Sequence, residues 1–155
     1  MNTNVQLVPV TEDTLTDVLP LVAAYHDFED IDHAAKNIDT VSVLRPLLGD
    51  SPHGVVWFIE KDGQNVGYIA ICDSYSIEFG GKTAMIDEFF VVPEARGQGV
   101  GRKVLGLLEP RLITRNIKVL FLEVSPTNTP AQRLYQQAGF EVYDKYLGMA
   151  KRLQP

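Results

Sequence analysis

The sequence predicts one α/β domain, a mixed sheet with helices packed on its faces, and three observations carry that expectation. Strand-like apolar runs alternate with segments of helical spacing, in the order β-α-α-β-β-β-α-β-α-β-β. The 155 residues are 45% hydrophobic and 22% charged, enough apolar material for a core and too balanced for a disordered chain. No repeat or low-complexity linker divides the chain, so residues 1–155 read as a single domain.

Val5 to Val10 is the first strand. Thr11-Glu12-Asp13 then offers an N-cap and acidic first-turn residues, and Leu15, Val18, Leu19, Val22 and Ala23 follow at helical spacing. Pro20 should kink or split that helix. After it, His26 to Asp32 is polar and acidic. A shorter helix from about Asp39 to Leu48 ends at Gly49-Asp50-Ser51-Pro52.

Val55 to Glu60 and Val66 to Ile71 are strands joined by Lys61-Asp62-Gly63-Gln64-Asn65, a hairpin signal because Asp-Gly tolerates positive φ. Gly80-Gly81 turns the chain into Thr83 to Val92, a central strand interrupted by Asp87-Glu88. Val100 to about Asn116 has helical spacing, with Pro110 predicting a kink or an early end. Lys118 to Val124 is a buried strand, and Thr129 can cap a helix that starts at Pro130 and stops at Gly139. Phe140 to Tyr146 and Leu147 to Arg152 complete the count as two further strands.

The net charge of −6 argues against a nucleic-acid or anionic-membrane binder, which needs a basic surface. The charge is uneven. Residues 1–50 carry nine acidic side chains against two basic, while residues 51–155 carry eleven against twelve. The single Cys72 excludes a disulfide framework and, lying in an apolar run, reads as an inert buried thiol. His26, His33 and His53 have no paired ligand spacing, so no metal site is expected. The N-terminus lacks a basic region followed by an apolar segment, which makes the cytoplasm the default location.

The most specific stretch is Val91-Val92-Pro93-Glu94-Ala95-Arg96-Gly97-Gln98-Gly99-Val100-Gly101-Arg102-Lys103. A strand ends, glycines follow and a helix begins, so backbone N–H groups can converge on a phosphate. A dinucleotide fingerprint would need glycine at Arg102 or at Val104, and no Gly-Lys-Ser/Thr is present. R-x-x-G-x-G remains, met by Arg96, Gly99 and Gly101.

With that motif the chain resembles the GNAT superfamily of acetyl-coenzyme A-dependent N-acetyltransferases. The resemblance extends to a second motif, Asn128-Thr129-Pro130-Ala131-Gln132-Arg133-Leu134-Tyr135-Gln136-Gln137-Ala138-Gly139-Phe140, and covers about residues 83–146. It implies a mixed, mostly antiparallel central sheet of about six to seven strands flanked by about four helices. Acetyl-coenzyme A is the implied co-substrate. Backbone groups of Phe89, Phe90 and Val91 would pair with its pantetheine arm, and an N–H near Val91 would polarise the thioester carbonyl. Amides of Gly97, Gln98, Gly99, Val100, Gly101 and Arg102 would hold the pyrophosphate, with charge added by Arg96, Arg102 and Lys103. Asn128 and Ala131 would line the cofactor beside the second motif.

Acetyl transfer to an amine needs a base and a proton for the departing thiolate. Tyr135 matches the family's usual general acid. Asp87 and Glu88 are the acidic residues of the central strand, and neighbouring side chains there alternate faces, so both can reach one nitrogen only across a bulge. The acidic-acidic-Phe-Phe-Val run resembles the polyamine acetyltransferases, which favour Asp87 for the substrate contact; Glu88 stays open beside it. Tyr25, Asp27, Phe28 and Glu29 would suit an ammonium-bearing acceptor through ion pairing and cation–π contact.

The reading that follows is direct acetyl transfer to a primary amine, polyamine or other small amine first. A ping-pong route is disfavoured because no Cys or Ser nucleophile is positioned. A lysine or N-terminal amine of a peptide is the alternative acceptor, and a non-catalytic acyl-coenzyme A sensor the alternative role. The partner expected is thus a small-molecule amine, with no nucleic acid and no membrane; the resemblance also allows a homodimer.

Overall fold

The computed structural model describes residues 3–31 and 37–153. The chain forms two compact units, Met1–Glu123 and Val124–Pro155. In the first, β1 (Val5–Pro9), β2 (Gly54–Lys61), β3 (Gln64–Ser76), β4 (Gly81–Val91) and β5 (Val119–Leu122) lie side by side in sequence order. Every neighbouring pair is antiparallel except β4 with β5, which is parallel and needs the crossover helix between them.

Val, Ile, Trp and Phe dominate β2, Tyr and Ile lead residues 67–71 of β3, and both faces are buried there. Asp62 and Gly63, at φ 51° and 82°, make the two-residue turn between them, the geometry that the Asp-Gly pair predicts. On one face of the sheet, Val56 and Phe58 of β2, Tyr68 and Ala70 of β3 and Phe90 of β4 form a buried cluster with Leu15, Val18 and Val22. Those three come from α1 (Leu15–Phe28). Leu44, from the short α2 (Thr40–Leu44), closes the cluster. On the other face, Ile59, Ile69, Ile71 and Ile86 are buried, and α3 (Val100–Thr114), which packs on β1, buries Val104, Leu105, Leu108 and Leu112.

The helices depart from expectation in informative ways. α1 starts later than Thr11, with Thr14 as its N-cap, and runs unbroken past Pro20 to Phe28. Tyr25, His26, Asp27 and Phe28 therefore stand on its last turn and not in a loop after it. Pro20 lies on the sixth position of the helix, where packing of the apolar stripe outweighs one lost backbone bond. α3 likewise continues beyond Pro110 to Thr114, and the Arg111 guanidinium donates to the Leu107 carbonyl at 2.8 Å. Asp39 caps α2, accepting from the Val41 N–H and the Ser42 hydroxyl, and the chain tightens to a 3₁₀ turn at Arg45–Leu47.

In the second unit, α4 (Thr129–Gln137) is capped by Asn128, whose side chain accepts from the Ala131 N–H at 3.2 Å. The cap is thus one residue earlier than Thr129. Gly139, at φ 93°, ends the helix as expected. The strands expected over Phe140–Tyr146 and Leu147–Arg152 are absent: residues 138–153 form no sheet, and five strands, not six or seven, are present among the described residues. Apolar alternation specifies a strand only where a third strand is there to pair, because a lone hairpin is marginal in water.

Candidate active site

Two features of β4 build the site. The ladder to β5 spans only Thr83 to Ile86, so from Asp87 to Val91 the strand has no neighbour on that side among the described strands. The ladder to β3 slips at the same place: Ile86 pairs with Ile71 and Glu88 with Ala70, leaving Asp87 as the extra residue of a β-bulge. A bulge turns successive side chains toward one face. Asp87 and Glu88 accordingly both lie within electrostatic reach of His26 on the α1 face.

Glu88 is held at both oxygens. The Tyr68 hydroxyl donates to Oε1 at 3.0 Å, and His26 Nε2 lies 2.5 Å from Oε2. The side chain is 16% exposed, and this burial pushes the carboxyl above the usual glutamate range, although the bonds from His26 and Tyr68 act against it. Asp87 is an exposed residue, yet desolvation of its carboxyl, then the nearby Glu123 charge, also raise its pKa while His26 opposes them. Burial, followed by the Glu88 charge, raises the Tyr68 phenol far above its ordinary value. Cys72, half-buried, has its thiol pushed up to about 11 by burial, which keeps it a thiol as the sequence suggests.

The loop after β4 is shaped for an anion. A 3₁₀ turn at Pro93–Ala95 leads to Gly97 and Gly99 at φ 70° and 76°, left-handed values that a side chain resists. Gly99 is the N-cap of α3, and the first helical bond runs from the Lys103 N–H to the Gly99 carbonyl. The amides of Gly99, Val100, Gly101 and Arg102 therefore have no partner inside the helix, at its positive end. These residues fit a pyrophosphate. Gln98 anchors the loop by donating to the Glu94 carbonyl at 2.9 Å and accepting from Lys61.

The cations near this loop divide. Arg102 is exposed and has no partner among the described residues. The Lys103 ammonium donates to the Thr3 carbonyl at 2.5 Å. Arg96 turns back toward β4: its Nε donates to the Val91 carbonyl at 2.8 Å, and its guanidinium stacks 4.7 Å from the Phe28 ring and 5.5 Å from Phe90. It thereby ties the glycine loop to the last turn of α1.

Of the residues singled out for the acceptor, Tyr25 packs into the aromatic group with Tyr68 and Phe90, each ring centroid 6.2 Å away. Phe28 is 58% exposed, and Asp27 and Glu29 are exposed. Asp32 and His33 lie outside the described residues. Phe89 faces away from Phe90, opposite Ile69, while the Phe90 side chain belongs to the core. In the second unit the Asn128 side chain and the Ala131 N–H are joined to each other at the cap, and Tyr135 packs edge-on to Phe140 at 5.7 Å.

Three residues of the first unit escaped the sequence reading: His26, Tyr68 and Glu123. His26 and Glu88 are 62 positions apart, so spacing gives no sign of the pair. Tyr68, 20 positions from Glu88, reads as a strand aromatic. Glu123 directly follows the half-buried β5, and its place near the end of the strand expected over Lys118 to Val124 is the one available signal.

The Acetyltransferase (GNAT) family profile matches residues 21–140. An uncharacterized N-acetyltransferase of Archaeoglobus fulgidus is 36% identical over 127 residues, 80% of this chain and 84% of that protein. A putative [ribosomal protein bS18]-alanine N-acetyltransferase of Bacillus subtilis is 31% identical over 121 residues, covering 73% and 76%. In structure, AAC(6')-Iy, solved in complex with the bisubstrate analog CoA-S-monomethyl-acetylneamine, superposes with TM-score 0.75 at 16% identity, covering 98% of this chain and 99% of the other. An unpaired stretch of β4, a bulged acidic pair and a glycine-led helix start thus accompany similarity along most of the chain, and the chain belongs to the GNAT family of N-acetyltransferases.

Proposed function

We propose that this protein transfers acetyl from acetyl-coenzyme A to a primary amine, a small cationic amine first, by direct attack in a ternary complex. The observation that carries the reading is the bulge at Asp87, which brings two carboxylates to one side of the sheet beside the unpaired edge of β4. Bound acetyl-coenzyme A supplies the thioester acyl group. The amides of Gly97 to Arg102 hold its pyrophosphate, and the backbone from Phe89 to Val91 pairs with its arm like an added strand. Asp87, exposed and beside Glu123, anchors the acceptor ammonium. Glu88, raised in pKa and held by His26 and Tyr68, takes its proton. Tyr135 is assigned the proton donated to the leaving thiolate, on the resemblance of its motif. The family match crosses the boundary between the two units, which supports residues 1–155 as one working domain.

The Bacillus subtilis relative favours a second reading, in which the acceptor is the N-terminal amine of a protein. The test is thiol release from acetyl-coenzyme A with polyamines, aminoglycosides, amino acids and peptides as acceptors. Turnover of small amines supports the first reading. Turnover of peptides alone supports the second. Binding of acetyl-coenzyme A without turnover of any amine leaves an acyl-coenzyme A sensor.

A further inference from the structure

We propose that His26 is the proton exit of this site, passing to solvent the proton that Glu88 removes from the acceptor. The inference rests on the reading of Glu88 as base. The reaction itself requires an exit. As the nitrogen–carbon bond to the acetyl group forms and the carbon–sulfur bond breaks, the sulfur keeps the bonding pair, and an ammonium that becomes an amide nitrogen gives up two protons. One returns to the sulfur through Tyr135. The other stays on the base and must leave before the next turnover.

Glu88 has two hydrogen-bond partners, and they differ in where they lead. Tyr68 is fully buried among Tyr25 and Phe90, and its phenol is pushed far above the ordinary range, so it holds Oε1 without passing a proton on. His26, at 2.5 Å from Oε2, is 29% exposed on the last turn of α1. An imidazole has two ring nitrogens, so one can take the proton from Oε2 while the other gives one to water. Among the described residues, Tyr25 lies beside His26 on α1, Tyr68 and Cys72 of β3 and Asp87 of β4 lie within electrostatic reach of Glu88, and Glu123 lies beyond Asp87. Tyr68 and Cys72 remain protonated through the working range, so Asp87 is the charge that modulates the pair, with Glu123 acting on Asp87.

The experiment compares His26→Ala, His26→Gln and Glu88→Gln by thiol release across the pH range in which imidazole titrates, with thermal melting as the check on folding. Glu88→Gln should lose roughly 10²-fold or more. His26→Ala should lose about tenfold in kcat with acceptor KM little changed, and added imidazole should restore the rate in proportion to its concentration. His26→Gln keeps a hydrogen bond but passes no proton, so its kcat should fall as far, with the acid limb of the profile moved to higher pH. A His26→Gln enzyme with unchanged kcat and profile, or a loss in His26→Ala that imidazole does not restore, overturns the exit while leaving Glu88 as base. A fully active Glu88→Gln overturns both.

Discussion

Two carboxylates sit below the surface of the same sheet, Glu88 on β4 and Asp73 on β3, and their partners set them apart. Asp73, 3% exposed, is clamped by fixed charges, with the Lys82 ammonium at 3.1 Å and the Arg115 guanidinium at 2.8 Å from Oδ2. Glu88 has instead an imidazole and a phenol. The first arrangement joins the end of α3 to β3 and β4 and holds a charge still. The second satisfies a buried carboxyl with an imidazole and a phenol and no fixed charge, the arrangement on which the base proposed for Glu88 rests. Burial is common to the two carboxylates, and the chemistry of their neighbours is what distinguishes them.

The largest effect that could break this contrast is on rate. Glu88→Gln should lower kcat/KM by about 10² to 10³ and leave the melting temperature equal or higher. The sign follows from linkage: a carboxyl whose pKa rises on folding contributes its full stability below the ordinary glutamate range, and that contribution is lost as pH rises through the folded-state value. At neutral pH its burial is a cost that Gln removes. The same raised pKa places the acid limb of the kcat/KM profile above the usual glutamate range, and a limb at or below that range would remove Glu88 as proton acceptor.

Asp73→Asn should do the opposite. It leaves Lys82 and Arg115 without their counter-charge, at a cost of about 2–4 kcal/mol or roughly a 10 °C drop in melting temperature, with kcat/KM little changed well below that temperature. Loss of activity at an unchanged melting temperature would erase the distinction between the two sites.

A smaller effect sharpens the division within the active site. Gly99→Ala meets no neighbour, but φ of 76° costs a side chain about 1–2 kcal/mol. The KM for acetyl-coenzyme A should rise by up to about tenfold while acceptor KM stays the same, which steady-state titration of each substrate separates. The smallest effect concerns exposed charge. If Asp27, Glu29 and Asp87 draw in a cationic acceptor, its KM should climb about twofold to threefold as ionic strength approaches physiological salt, since exposed charges are screened. A flat response would exclude long-range attraction.

Local chemistry made part of this legible beforehand. The Asp-Gly hairpin, the glycine loop ahead of α3, the end of α4 at Gly139 and the acidic pair in β4 are each written in a few adjacent residues, because the φ angles and orphan amides involved depend on near neighbours. Of the kink or break expected at Pro20 and at Pro110, the break does not occur, because one missing N–H weighs less than a buried apolar stripe. The two C-terminal strands failed for the complementary reason: alternation is local, pairing is not.

Short motifs were enough for the family, the glycine turn ahead of α3 and the need for a bulge if Asp87 and Glu88 were to share one face. Tertiary structure decided that the bulge falls on Asp87, that His26 and Tyr68 converge on Glu88, and that Arg96 stacks on Phe28. Those contacts join residues of separate elements, and only the packing of α1 across β3 and β4 sets the distances between them.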